Sequence, residues 1–259
     1  MAEQAKKGIT MDNTYMWRKY GVALLVALVL GSTFFLHGSA SAAALTTTSL
    51  THLENFSAQW GLYQDGGQVQ GTITNVAQPS LDGNALAASL TSGQPYTGMH
   101  VYRNLAAADS AVTFQLDLSF QFSNAAAVQA LEFTTSKWYN NKRWELAMQW
   151  ENVGDGGAQQ GAAHSWRLWT GGSWQNTGVV QSLNAQTWHT FHLTGKIVNG
   201  NIQYTGFRCD AQTISLSQTF APVASAGDLL AVAVQLDGNG NEDAYQMYVD
   251  GVTLKYGDV

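Results

Sequence analysis

Cysteine is almost absent from this chain. Cys209 stands alone, so no intrachain disulfide can form, and stability must come from a packed core. Charge is sparse, at 12% of residues, and basic charge is sparser still. From residue 45 onward eight Lys and Arg face sixteen Asp and Glu, for a net charge of −8. An acidic body with no basic run argues against binding nucleic acid. No apolar run reaches the roughly eighteen residues of a membrane span. Nothing past residue 45 reads as a helix, because the alanine clusters Ala106–Ala108 and Ala125–Ala127 are too short to nucleate one. His164, His189 and His192 lack zinc-site spacing, and no local motif supports Ser/His/Asp or Cys/His catalysis. There is no internal repeat.

Three features of the first fifty residues set the organisation. Met1–Tyr20 is polar and carries Lys6, Lys7, Arg18 and Lys19. A sixteen-residue apolar run, Gly21–Leu36, follows, and then small residues of the A-x-A kind up to Ala44. This order reads as a secretory signal over 1–44, with an uncleaved signal anchor as the alternative. Either reading puts the body outside the cytoplasm, with membrane contact only through that N-terminal segment. Residues 45–50 (LTTTSL) read as a polar linker, and 51–259 as one domain.

Across that domain the apolar period is two. Val112–Phe120, Trp144–Trp150, Leu230–Leu236 and Tyr245–Val249 each alternate apolar and polar residues, as half-buried strands do. Gly/Asn/Asp clusters such as Asp65-Gly66-Gly67, Asp82-Gly83-Asn84 and Asn199-Gly200-Asn201 punctuate the runs. The fold class is therefore all-β, two antiparallel sheets packed as a sandwich.

Aromatic residues are what the chain has in abundance. Seven of its nine tryptophans fall between Trp138 and Trp188. Alternation assigns their faces: Trp144, Trp150 and Trp166 go to the core while Trp169 is displayed, and Trp60 and Trp188 read as structural. Trp138, Tyr139 and Trp174 sit in turn-like contexts (SKWYNNK, TGGSWQN) and are candidates for stacking. The same reasoning displays Glu132, Arg143, Glu145, Gln149, Arg167, His192 and Gln235. If their strands are neighbours, one face combines hydrogen-bonding groups with aromatic surface, as a sugar site requires. A solvated outer face with ion pairs such as Glu145 with Arg167 is the alternative.

Glu132 and Glu145, on adjacent strands, form the candidate carboxyl pair of a glycosidase. The run Asp237-Gly-Asn239-Gly-Asn241 offers alternate oxygen ligands of the kind that open calcium loops. It lacks the sixth-position Gly and twelfth-position Glu, and reads rather as a plain acidic turn between two strands.

Four segments, Ala130–Phe133, Trp166–Trp169, Trp188-His-Thr-Phe191 and Asp243–Leu254 (DAYQMYVDGVTL), resemble secreted bacterial domains of the concanavalin A-like lectin/glucanase superfamily. The resemblance spans about residues 50–257. It implies a jelly-roll sandwich whose concave sheet binds glycans. It also implies a structural Ca²⁺ near the closing strand, held by Asp250 with Glu54, and no other cofactor. Laminarinase-type members carry Glu-x-Asp-x-x-Glu on one strand. Here the run from Glu132 reads Glu-Phe-Thr-Thr-Ser-Lys, without the Asp and the second Glu. Trp144–Trp150 is similar to the nucleophile strand of small jelly-roll cellulases, which would give Glu145 that role. The expectation is an exported sandwich that recognises a polysaccharide or cell-surface glycan. A β-glycan hydrolase using Glu145 and Glu132, and a structural or adhesion sandwich without a glycan ligand, are the alternatives.

Overall fold

The computed structural model describes residues 46–65, 70–92, 97–154, 162–241 and 243–258. The expected signal segment, 1–44, lies outside the described residues. The strands in chain order are β1 (Thr47–Leu50), β2 (Gly61–Asp65), β3 (Gln70–Val76), β4 (Ala85–Ser92), β5 (Gly98–Leu105) and β6 (Thr113–Phe122). They continue as β7 (Val128–Tyr139), β8 (Lys142–Glu151), β9 (Ser165–Trp169), β10 (Trp174–Val180), β11 (His189–Val198) and β12 (Asn201–Cys209). The last are β13 (Gln212–Ile214), β14 (Thr219–Phe220), β15 (Val223–Ala224), β16 (Leu229–Gly238) and β17 (Tyr245–Gly257).

They form two antiparallel sheets. One runs β13-β12-β11-β6-β17-β4-β3, with β1 added on β17 and β14 on β12. The other runs β10-β9-β8-β7-β16-β5-β2, with β15 added on β8. This is the jelly-roll sandwich that alternation and resemblance lead one to expect.

The alternating apolar sets meet between the sheets. Phe114, Leu116, Leu118 and Phe120 of β6 are buried, and so are Trp144, Leu146, Met148 and Trp150 of β8. Phe133 packs against Phe120 from the opposing sheet and against Phe191, with ring centroids 4.6 Å apart in each case. The buried indoles keep their N–H groups satisfied, as burial of a polar atom demands. Trp144 donates to the Gly200 carbonyl at 2.8 Å, and Trp150 to the Gln181 carbonyl at 2.9 Å. Trp166 reaches the Gln181 side-chain oxygen at 2.8 Å, so one glutamine anchors two tryptophans. Gly195 marks a close approach of the sheets, where a Cβ would lie 2.6 Å from the Leu146 methyls.

The expected linker, residues 45–50, contains a strand. Within β17, Tyr245–Val249 pair with β4, and beyond the register shift near Asp250 the following residues leave that partner. An open edge of this kind exposes unpaired backbone groups. Thr47–Leu50 cover it, pairing with Gly257–Leu254. The Thr46 amide then ties the junction to Asp258 Oδ1 at 2.9 Å. A β-branched, polar run suits a solvent-facing edge strand, and polarity alone did not mark it as a linker.

Candidate functional site

Directly opposed residues in an antiparallel ladder share a face, so strand register fixes what the outer face of the second sheet presents. One row crosses the sheet as Tyr63, His100, Gln235, Glu132, Gln149 and Arg167. The next is Tyr102, Ala233, Thr134 and Ala147, followed by Asn104, Ala231, Ser136 and Glu145. Trp138 opposite Arg143 closes the array. The middle strands thus carry Ala, Ser and Thr, while large side chains stand on the flanking ones. Small residues between large ones hollow the face into a trough of about 520 Å³. Tyr63, His100 and Tyr102 line one side, and Trp169, Trp174, Glu145 and Arg143 the other.

The aromatic walls differ in how available they are. Trp169 and Trp174, cross-strand partners, are half-buried with ring centroids 5.2 Å apart and planes at 58°. Tyr63 is 51% exposed and stacks flat on His100, centroids 4.3 Å apart. Trp138 is committed elsewhere. Its N–H donates to Ser225 Oγ at 3.0 Å, Arg143 lies 5.8 Å from its ring centroid, and Gly227 approaches so closely that a Cβ would sit 3.0 Å from the indole. It forms wall rather than platform.

Two carboxyl groups line the trough, each with its own partner. Glu132 accepts a 2.6 Å hydrogen bond from Gln149 Nε2, and Glu145 pairs with Arg143 at 3.0 Å. Burial, then the neighbouring Asp237 charge, holds Glu132 well above the ordinary carboxylate range, against the opposing Gln149 hydrogen bond. Burial also raises Glu145, with Arg143 and the Trp169 indole pulling it down. In register they are four positions apart, because Glu132 opposes Gln149 and Glu145 opposes Ser136. That sets their backbones roughly 13 Å apart along the strands.

Of the expected site residues, Arg143, Glu145, Trp138, Trp169, Trp174, Gln235 and Glu132 line the trough. Gln149 and Arg167 are on the same face but buried; Arg167 hydrogen-bonds Gln149 and forms an ion pair with Glu151. Glu145 takes Arg143, not Arg167, as its ion partner. His192 belongs to the other sheet, where its Nδ1 lies 2.5 Å from Asp117. Alternation assigned its face correctly within a strand but could not assign the strand to a sheet. Tyr139 has the parity of the inner face, opposite to Trp138, and projects from the β7–β8 turn with the Lys137 ammonium 5.1 Å from its ring. Sequence reasoning missed Tyr63, His100, Tyr102 and Asn104. The alternation Met99-His-Val101-Tyr carries His100 and Tyr102, with Met99 and Val101 buried.

Glu54 and Asp250 are both buried near the register shift of β17, each held by backbone amides. Glu54 accepts from the Gly251 and Val252 amides at 3.1 and 2.8 Å; Asp250 Oδ2 accepts from Ser80 Oγ and the Leu81 amide at 2.8 and 2.6 Å. His52 Nδ1 lies 3.3 Å from Glu54 and 3.4 Å from Asp82. Burial raises the Glu54 carboxyl, the Gly251 and Val252 amides oppose this, and the Asp250 charge adds to it. Among the described residues, the side-chain ligand atoms that converge within 4.8 Å are those of His52, Glu54 and Asp82, with Asp250 outside that group. In the other candidate loop, Asn239 spends its side chain on the turn itself. It accepts from the Asn241 amide at 2.9 Å and donates to the Ala126 carbonyl. Asp237 accepts from Gln235 at 2.7 Å.

Fold and site define the class: a two-sheet antiparallel β-sandwich with an aromatic-walled trough on one sheet. No protein-family model and no curated protein sequence matches the chain. Among solved structures it is similar to lectin I-B4 from Griffonia simplicifolia, at 8% identity and a TM-score of 0.49, covering 82% of this chain and 100% of that one. It is also similar to lectin UEA-II complexed with galactose (10%, TM-score 0.47, covering 82% and 99%). A third is the carbohydrate esterase vb_24B_21 from Shiga toxin-encoding bacteriophage phi24B (16%, TM-score 0.47, covering 82% and 99%). Likeness at this level carries nothing about ligand or chemistry.

A carboxyl raised on folding binds its proton more tightly in the native state, so its contribution to stability is present at low pH and falls as pH rises through the folded pKa. Glu132 should therefore make unfolding free energy decline as pH rises from near 4.5, its ordinary value. Urea titrations across that range should show a shallower decline for Glu132→Gln; an unchanged slope would refute the assignment.

Proposed function

We propose that the protein binds a polysaccharide or cell-surface glycan in the trough of the second sheet. The observation that carries this reading is the Trp169–Trp174 pair, half-buried beside the Glu145–Arg143 ion pair, facing a floor of small side chains. Aromatic faces suit the C–H surfaces of sugar rings, and the flanking carboxylate and amides suit hydroxyls. Aromatic walls around the hollow also speak for a ligand rather than for a purely structural sandwich, since the hollows on the other sheet have no tryptophan among their described lining residues. Binding to a broad glycan array tests the proposal. Trp174→Ala should weaken affinity for any ligand found by about tenfold, or ~1.4 kcal/mol, the scale of one aromatic contact. Unchanged affinity would remove Trp174 from the site.

Hydrolysis of the bound glycan is the second reading, favoured by one observation. Burial raises both Glu132 and Glu145, the property a general acid needs. Release of reducing ends from the same glycans would establish it, and Glu145→Gln should then abolish turnover while leaving binding in place. Binding without release leaves the lectin-like reading alone.

Two further elements belong to the proposal. Export through residues 1–44 places the domain at the cell surface or beyond it, where such glycans are met. A structural Ca²⁺ held by Glu54 and Asp250 would relieve the repulsion between those buried charges and fasten the first turn to the closing strand. The melting temperature should then rise with Ca²⁺ over EDTA in the native protein, and the rise should vanish in Asp250→Asn. Equal melting with and without the ion would exclude the site.

A further inference from the structure

Resting on the glycan-binding reading, we infer that the trough selects an uncharged glycan chain, and one long enough to touch aromatic side chains at both ends. The first half of the inference comes from how the charges are spent. Among the described residues lining the trough, Arg143 is the only Lys or Arg. Its charge is balanced by Glu145, 3.0 Å from one terminal nitrogen, and its guanidinium lies 5.8 Å from the Trp138 ring. Its Nε has no hydrogen-bond partner among the described residues. Arg167, next along the Glu132 row, is buried in its pairing with Glu151 and Gln149. The remaining ionisable nitrogen, on His100, belongs to a ring stacked flat on Tyr63. Against these stand Glu132 and Glu145 in the lining and Asp237 two residues beyond Gln235. A uronate, sulfate or sialate group would be desolvated beside carboxyl groups with no cation released to meet it, an arrangement that selects against the charged ligand. A cationic amino sugar gains little, because Arg143 already balances Glu145 and Glu132 is hydrogen-bonded to Gln149. Hydroxyl groups meet neither penalty. They can donate to Glu145 and accept from the amides of Gln235 and Asn104.

The second half comes from spacing. The two aromatic groups, Tyr63 with Tyr102 on β2 and β5, and Trp169 with Trp174 on β9 and β10, are separated by β16, β7 and β8. Four strand steps from β5 to β9 put them about 19 Å apart. The floor between is Ala231, Ala233, Thr134, Ser136 and Ala147, low enough for a chain to lie across the strands. A single sugar ring can touch one group only.

The test is calorimetric titration of the native protein with neutral polysaccharides, alginate, polygalacturonate, a sulfated glycan and chitosan, followed by an oligosaccharide ladder of the best neutral ligand. Binding confined to neutral glycans, tightening at least tenfold from disaccharide to the longest oligomer, is expected. Tyr102→Ala and Trp174→Ala should each flatten that gain. Glu145→Gln, which leaves Arg143 unpaired, should add measurable affinity for polygalacturonate. Binding of a polyuronate or chitosan as tight as that of any neutral glycan, no gain in Glu145→Gln, or affinity independent of length would overturn the inference while leaving glycan binding in place. Silence across all the glycans, charged and uncharged, would instead remove the reading on which it rests.

Discussion

Phe133 touches Phe120 across the sandwich and Phe191 beside it, and Phe191 in turn meets Phe207 and Trp166. This run of rings is the contact on which the rest of the molecule depends, because no disulfide shares the task and charge is too sparse to contribute much. Burying one such ring is worth about 3–5 kcal/mol by truncation, a large part of the stability of any domain. Its functional consequence is indirect. With the bulky residues of β7, β8 and β16 turned inward, their alternate positions are free to be Ala, Ser and Thr, and the outer face can be hollow without weakening the core.

The hollow is also stiff. Its polar end is not left to solvent but tied across three strands, from Glu132 to Gln149 to Arg167 and back to Glu151, while Gln235, opposite Glu132, is held by Asp237 on its own strand. A buried network of this kind is costly when incomplete and restrictive when satisfied. Glu132 shows both sides of this. Desolvation pushes its carboxyl toward the protonated form, while the Gln149 amide and the nearby guanidinium of Arg167 oppose the push. The geometry of the trough is consequently set before any ligand arrives, which keeps the ordering cost of binding low.

Much of this was legible in the sequence, and the limit is a physical one. Period-two alternation says which side of a strand a residue occupies, so the inward placement of Trp144, Trp150 and Trp166 and the outward placement of Glu145, Trp169 and Gln235 followed directly. Alternation does not say which sheet a strand joins, and His192 shows it: correct parity, wrong sheet. Nor does it carry depth. Gln149 and Arg167 point outward from their strands yet lie buried, because exposure depends on what stands beside a residue two or three strands away. Tyr139 adjoins Trp138 in sequence, and that adjacency itself puts it on the opposite face. The edge strand β1 was invisible for another reason: its partner, the far end of β17, lies some two hundred residues away in the chain.

The outer face of the other sheet shows why the trough lies where it does. There the displayed charges satisfy one another: Asp117 takes the Gln115 amide at 2.6 Å and His192 at 2.5 Å, with Lys255 at 3.8 Å. Surrounded by threonines at Thr113, Thr194 and Thr205, those groups have water as their natural remaining partner. On the second sheet the outward positions combine the smallest side chains with the largest aromatic ones. The first sheet has hollows too, of about 260 and 480 Å³, lined by residues such as Thr194, Thr205, His192 and Arg208, but none of their described lining residues is a tryptophan; the aromatic walls are what set the second sheet apart. Antiparallel sandwiches need only one face of each sheet for stability. The half-buried tryptophan pair on an outer face is found on the second sheet, and the core does not require it. Residues that the core does not require, yet which cost solvation to keep half-exposed, are the ones on which the proposed binding rests.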